Sequence, residues 1–135
     1  MLLPLLKNIG SMSKVQTENL LFAPDAKVGF ARGTGTDSSQ AVTINKPMGV
    51  ITSSTTNLGA KTTEDITLTN RHIKSDSMVI CQVAGGGAGD VVVSRVTPAD
   101  GSCVITTLNA DPDNACNAAY TVTFLVVSNQ ANDTP

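Results

Sequence analysis

At 135 residues the chain has the length of one ordinary domain, enough to bury about two-thirds of its unfolded surface around a core of its own. Its 41% hydrophobic content is on the low side and its 15% charged content is well below the usual ~25%, with Thr, Ser, Asn and Gly making up the difference. Nine Lys and Arg stand against eleven Asp and Glu for a net charge of −2, and no window gathers the basic cluster that phosphate binding requires, so nucleic acid is not expected as a partner.

Met1-Leu2-Leu3-Pro4-Leu5-Leu6 is apolar enough to suggest targeting. No positive residue precedes it, however, Pro4 interrupts it and Lys7 follows at once, so it is too short for a signal h-region or a membrane span. It reads as part of a terminal arm, and no membrane partner is expected. Met12 is a candidate second start. The arm is expected to cover residues 1–40, with one helical turn at Val15 to Leu21 and a short strand at Lys27 to Ala31. The tract Gly33-Thr34-Gly35-Thr36-Asp37-Ser38-Ser39-Gln40 cannot bury enough apolar surface to offset its ordering entropy, so it is expected to order mainly against a neighbour.

From Thr43 to Ser128 the texture changes to short Val, Ile and Thr runs punctuated by Gly, Asn, Asp and Pro, the signature of half-buried strands. Val42 and Ile44 alternate with Thr43 and Asn45, Pro47 closes that strand, and Val50 to Ser53 opens the next. In Thr63 to Thr69 the period places Ile66 and Leu68 inward and Asp65, Thr67 and Thr69 in water. Ser77 to Val83 is apolar on both faces and reads as a strand near the centre of a sandwich. Gly85 to Asp90 reads as a flexible hairpin loop, Val91 to Val96 as a strand ended by the turn Pro98-Ala99-Asp100-Gly101, and Ser102 to Leu108 as its successor. Finally, Tyr120, Val122, Phe124 and Val126 share one face of a strand expected to be central. The expected fold is all-β: an antiparallel β-sandwich or jelly roll of six to eight strands over residues 41–128, preceded by an extended N-terminal arm and followed by a flexible tail at 129–135.

Few residues carry chemistry. The Gly85 to Gly89 run lacks a following Lys-Ser or Lys-Thr and leads into a strand, so no helix terminus awaits a phosphate. Asp111, Asp113 and Asn114 resemble the start of a calcium loop, but Pro112 and the missing Gly and Glu later in the loop break that pattern and leave a surface turn. His72 is the single histidine and cannot form a histidine metal cluster; Glu64 and Asp65 are neighbours on a strand and point to opposite faces. Neither an enzyme nor a cofactor is expected. Cys81, Cys103 and Cys116 are odd in number, which excludes a closed disulfide framework; buried reduced thiols and folding in a reducing cytoplasm are expected. Flat Thr-rich strands with few Lys residues also favour an oligomer that covers its own edges.

The phrases Val42 to Thr52, Ile66 to Asn70, Asp90 to Val93, Gly101 to Ile105 and Thr123 to Val127 resemble those of small Thr- and Gly-rich β proteins of tailed bacteriophages and prophages, over roughly residues 40–128. The resemblance implies a virion structural protein, most of all a head decoration or cement protein. It implies a homotrimer bound to the lattice of the major capsid protein, on the exterior of the capsid, after synthesis in the host cytoplasm. On that reading the arm lays Leu20, Leu21, Phe22 and Phe30 across the seam between shell subunits, and these are the expected docking residues. The alternative is a tail-fibre or receptor-binding module whose loops after Gly85 and Asp111 contact a host surface glycan. One Tyr, three Phe and no Trp argue against it, because sugar faces usually stack on aromatic rings.

Overall fold

The computed structural model describes residues 29–128, and among them there are eight strands and no helix. The strands are β1 (Arg32–Thr36), β2 (Ala41–Thr43), β3 (Met48–Thr52), β4 (Thr63–Thr69), β5 (Met78–Gly85), β6 (Val91–Ala99), β7 (Ser102–Asn109) and β8 (Tyr120–Val127). They form two four-stranded sheets, ordered β1-β3-β8-β5 and β2-β4-β7-β6.

The alternation read in the sequence is what builds the core between the sheets. Along β4 every second side chain is buried, so Glu64, Ile66 and Leu68 point inward while Asp65, Thr67 and Thr69 are exposed. Along β8 the inward set is Tyr120, Val122, Phe124 and Val126, and β8 does lie inside its sheet, between β3 and β5. These residues meet Ile51, Ile66, Leu68, Ile105 and Cys103 in one cluster that draws on both sheets, which gives a sandwich-like arrangement. Phe124 fits because its partner across the ladder is Gly49, where an added Cβ would stand 2.6 Å from the ring.

Several expectations are corrected. The sheets are mixed and not purely antiparallel: β1 pairs with β3, and β2 with β4, in parallel. An antiparallel jelly roll therefore does not follow from these pairings. The run at Ser77 to Val83 is an edge strand rather than a central one, because nothing pairs with β5 beyond β8. Its outward residues Met78 and Ile80 are accordingly 62% and 51% exposed. Gly85 to Asp90 is not a hairpin loop, since it carries the chain from one sheet to the other. The strand from Val91 runs through Pro98 to Ala99, and Pro98 is tolerated because β6 is an edge.

The first strand also falls elsewhere than expected. Gly29 to Ala31 is not in a strand, whereas Arg32–Thr36, taken from the tract assigned to the arm, is. The backbone there is ordered against β3 of the same chain. The helical turn at Val15 to Leu21, and the docking residues Leu20, Leu21 and Phe22, lie outside the described residues.

Candidate functional site

The two ends of the sandwich differ in character. At one end the chain passes from β3 to β4, from β5 to β6 and from β7 to β8, and side-chain amides knit these connections together. The Asn109 amide nitrogen donates to Leu58 O at 3.0 Å and Asn114 O at 2.9 Å, while its oxygen accepts from Asp90 N at 3.0 Å. Asn117 Oδ1 accepts from Ala88 N at 2.9 Å, which fastens the glycine-rich connection to the segment before β8. Asp111 accepts from the backbone N–H of Asp113 and of Asn114, at 2.8 and 2.7 Å. Those two donors hold its carboxyl below the usual carboxylate range. The carboxylate that resembled a calcium ligand thus closes a turn, and among the described residues no group of three or more His, Cys, Asp or Glu could hold a metal ion.

Beneath that end lies a buried polar network that links the sheets. Glu64, on the inward face of β4, is 5% exposed and accepts hydrogen bonds from the Tyr120 hydroxyl and from Thr55 Oγ1. Gln40 Nε2 approaches the same carboxylate at 3.5 Å. The Tyr120 oxygen stands 2.9 Å from Thr107 Oγ1, which lies 3.3 Å from the Glu64 carbonyl. Burial, and then the hydrogen bond to Glu64, push the Tyr120 hydroxyl well above its ordinary pKa. Asp37, 3% exposed, takes the backbone N–H of Ser54 and its hydroxyl, the latter at 3.1 Å. Among the described residues no buried side-chain nitrogen or oxygen lacks a partner, so the network is satisfied internally and ties the two sheets together.

The three thiols are all free. Cys103 and Cys116 are buried and Cys81 is partly so, and burial pushes the Cys103 thiol up to about 11 and the Cys81 thiol up to about 12. For Cys81 the neighbouring charge of an ionised Cys103 adds to the burial. Raised acid groups favour the folded state while they stay protonated. Their stabilisation is complete below the unfolded thiol value near 9 and is lost as pH climbs through about 11 to 12. Urea unfolding is expected to show a constant midpoint from neutral pH to about 9 and a fall above it, with Tyr120 acting in the same direction. A midpoint that rises over that alkaline range contradicts the assignment.

The opposite end carries Met78 and Ile80, which belong to the strand expected near the centre of the sandwich. On the outward face of the first sheet Met78 lies opposite Val127, and Ile80 and Met48 both flank Leu125. Met78, Ile80 and Val127 are 62%, 51% and 47% exposed, and a shallow depression lies among Met48, Ile80 and Leu125. Phe30, the one expected docking residue within the described range, is 51% exposed just before β1. Because Arg32 aligns with Met48, β1 begins at this same end. His72 lies there too, with its backbone N–H bonded to Asn70 Oδ1 at 2.9 Å and its carbonyl accepting from Ser128 Oγ at 2.6 Å.

Comparisons with protein-family models, with curated proteins and with solved structures return no match to this chain. What its own fold defines is an all-β, sandwich-like protein of two mixed four-stranded sheets. No helix among the described residues is long and apolar enough to cross a membrane.

Proposed function

We propose that this chain is a structural protein of a tailed-phage particle, a decoration or cement protein that binds the assembled head shell and stabilises it. The observation that carries this reading is the contrast between inside and outside. Among the described residues buried polar side chains are partnered within the fold, while an apolar, nearly uncharged surface faces outward at the end where β1 begins. A block of this kind works by contact. The Thr- and Gly-rich strand phrases of residues 40–128 support the same role through their resemblance to phage virion proteins.

In this account the major capsid protein lattice is the partner and the capsid exterior is the location. Leu20, Leu21 and Phe22 of the N-terminal segment, with Phe30 at its root, make the docking contacts. Binding the assembled lattice and not its free subunits stabilises the shell by mass action. Several arms on one oligomer, a trimer on this reading, make weak contacts durable through avidity.

The test compares the full chain with a chain lacking residues 1–25, each mixed with shells of the encoding phage and sedimented. The full chain is expected in the pellet, and the shortened chain in the supernatant with an unchanged far-ultraviolet spectrum. A shortened chain that pellets at full occupancy removes the arm as anchor. A full chain that stays in solution while binding a surface glycan replaces the decoration reading with that of a tail-fibre module.

A further inference from the structure

Edge strands of a sheet are open to pairing unless something blocks them, and the four edges here are guarded very unequally. β2 is three residues long. β6 carries Arg95 and Pro98 and a register break between Val93 and Arg95. β1 is five residues long and is charged at Arg32. β5 is eight residues long, Met78–Gly85, with no charge, no Pro and no irregularity in its register with β8.

The face beside this edge is equally unguarded. The outward positions of the first sheet are Thr, Val, Met, Ile, Leu, Gln and Ala, with Arg32 as their one charge. At the β5 side Met48, Met78, Ile80, Leu125 and Val127 join into one apolar patch, three of them about half or more exposed. Strands of these lengths span about 27 Å in β5 and β8 and about 17 Å in β1 and β3, at about 4.8 Å spacing. The face is thus about 400 Å² in plan before side-chain relief is counted, the same order as the ~800 Å² each partner buries in a stable complex.

We propose that this face, centred on Met78, Ile80 and Val127 and continued by the β5 edge, is the interface through which copies of this chain associate. The occupant is a second copy for two reasons. The part of the face around Met78, Ile80 and Val127, away from Arg32, carries no charge, so it offers an oppositely charged partner nothing to pair with, yet meets its own copy without repulsion. An edge strand can also pair with the same strand of a copy related by a two-fold axis, or pack its face about a higher axis, so a closed assembly needs no second specialised surface. The inference gives the apolar surface on which the proposed function rests its occupant, a second copy, and leaves contacts with a shell to the rest of the molecule; purified protein alone tests it, so its failure is distinguishable from failure of the particle role.

The experiment is sedimentation velocity on the full chain over a range of concentrations, with Ile80→Lys, Met78→Lys and Val127→Lys, and with Val92→Lys on the other sheet as the control. Val92 is 38% exposed on the β6 edge, so its replacement adds the same charge away from the patch. The parent and V92K are expected to sediment as one closed oligomer, a dimer or a trimer, and the three patch variants to fall two- or three-fold in mass to the monomer. Circular dichroism and melting curves confirm that each variant is folded; a lysine at any of the three half-exposed positions serves if another fails to fold. A parent chain that is monomeric at its highest soluble concentration overturns the proposal. So do folded patch variants that keep the parent's mass, and so does dissociation by V92K alone.

Discussion

Replacing Phe124 by Ala is expected to lower unfolding stability by about 3–5 kcal/mol, the usual cost of emptying an aromatic site in a core that cannot collapse around the gap. Phe124 is fully buried on the strand between β3 and β5, and the Tyr120 ring on the same face is held in place by its hydroxyl's bonds to Glu64 and Thr107. A domain of this size has a total of about 5–15 kcal/mol, which leaves the variant close to unfolding. The cost is also local in origin. Gly49 gives the ring its room, and Gly49→Ala should destabilise the parent chain clearly more than it does beside Phe124→Ala, where the Gly33 carbonyl at 3.1 Å is what still crowds the new Cβ; a double-mutant cycle reads this coupling directly. Urea unfolding checks both, and a Phe124→Ala midpoint close to the parent's contradicts the packing described for β8.

Replacing Tyr120 by Phe keeps the ring and removes one hydroxyl, yet a loss of about 1.5–3 kcal/mol is expected because the hydroxyl donates to a buried carboxylate. Glu64 would keep the Thr55 donor and lose the one that comes from the opposite sheet. Removing both partners should therefore hurt less than the two single changes predict. Glu64→Leu in the Tyr120→Phe background is expected to cost clearly less than Glu64→Leu alone, since no Tyr120 hydroxyl is then left to exchange a buried carboxylate for the Thr107 hydroxyl as its partner. Additive losses in the cycle would mean that the cross-sheet network does not act as a unit.

How much of this could be read from the residues depends on what each strand's period reports. β4 and β8 have one buried face and one exposed face, and their alternation identifies both faces correctly. β5 misleads because a strand apolar on both sides looks buried on both sides; only the absence of a neighbour beyond it tells an edge from a centre, and that is a property of the topology. β1 has no apolar period at all. It forms because Gly33 and Gly35 leave room for Ile44 and Val42, whose methyls would stand 2.5 and 2.8 Å from an added Cβ, and because β3 supplies a parallel partner.

The buried network was only half legible. The period already put Glu64 on the same face as Ile66 and Leu68, but its partner Tyr120 is 56 residues away and Thr107 is 43 away. Local sequence does not announce such a meeting. The loops at that end were legible in composition and not in connectivity: the glycine run reads as a hairpin until the strands on either side are seen in different sheets. The turn role of Asp111, by contrast, follows from the same Asp-Pro-Asp-Asn sequence that denied it a calcium loop.

The most direct test of the account is an image reconstruction of the intact phage particle to which the proposed role assigns this chain, with the chain carrying a small tag visible in density. The account predicts tag density on the outer surface of the head, repeated at junctions between shell subunits, and its loss when the chain is deleted. Density confined to the tail tip, or particles that contain none of this chain, would contradict it.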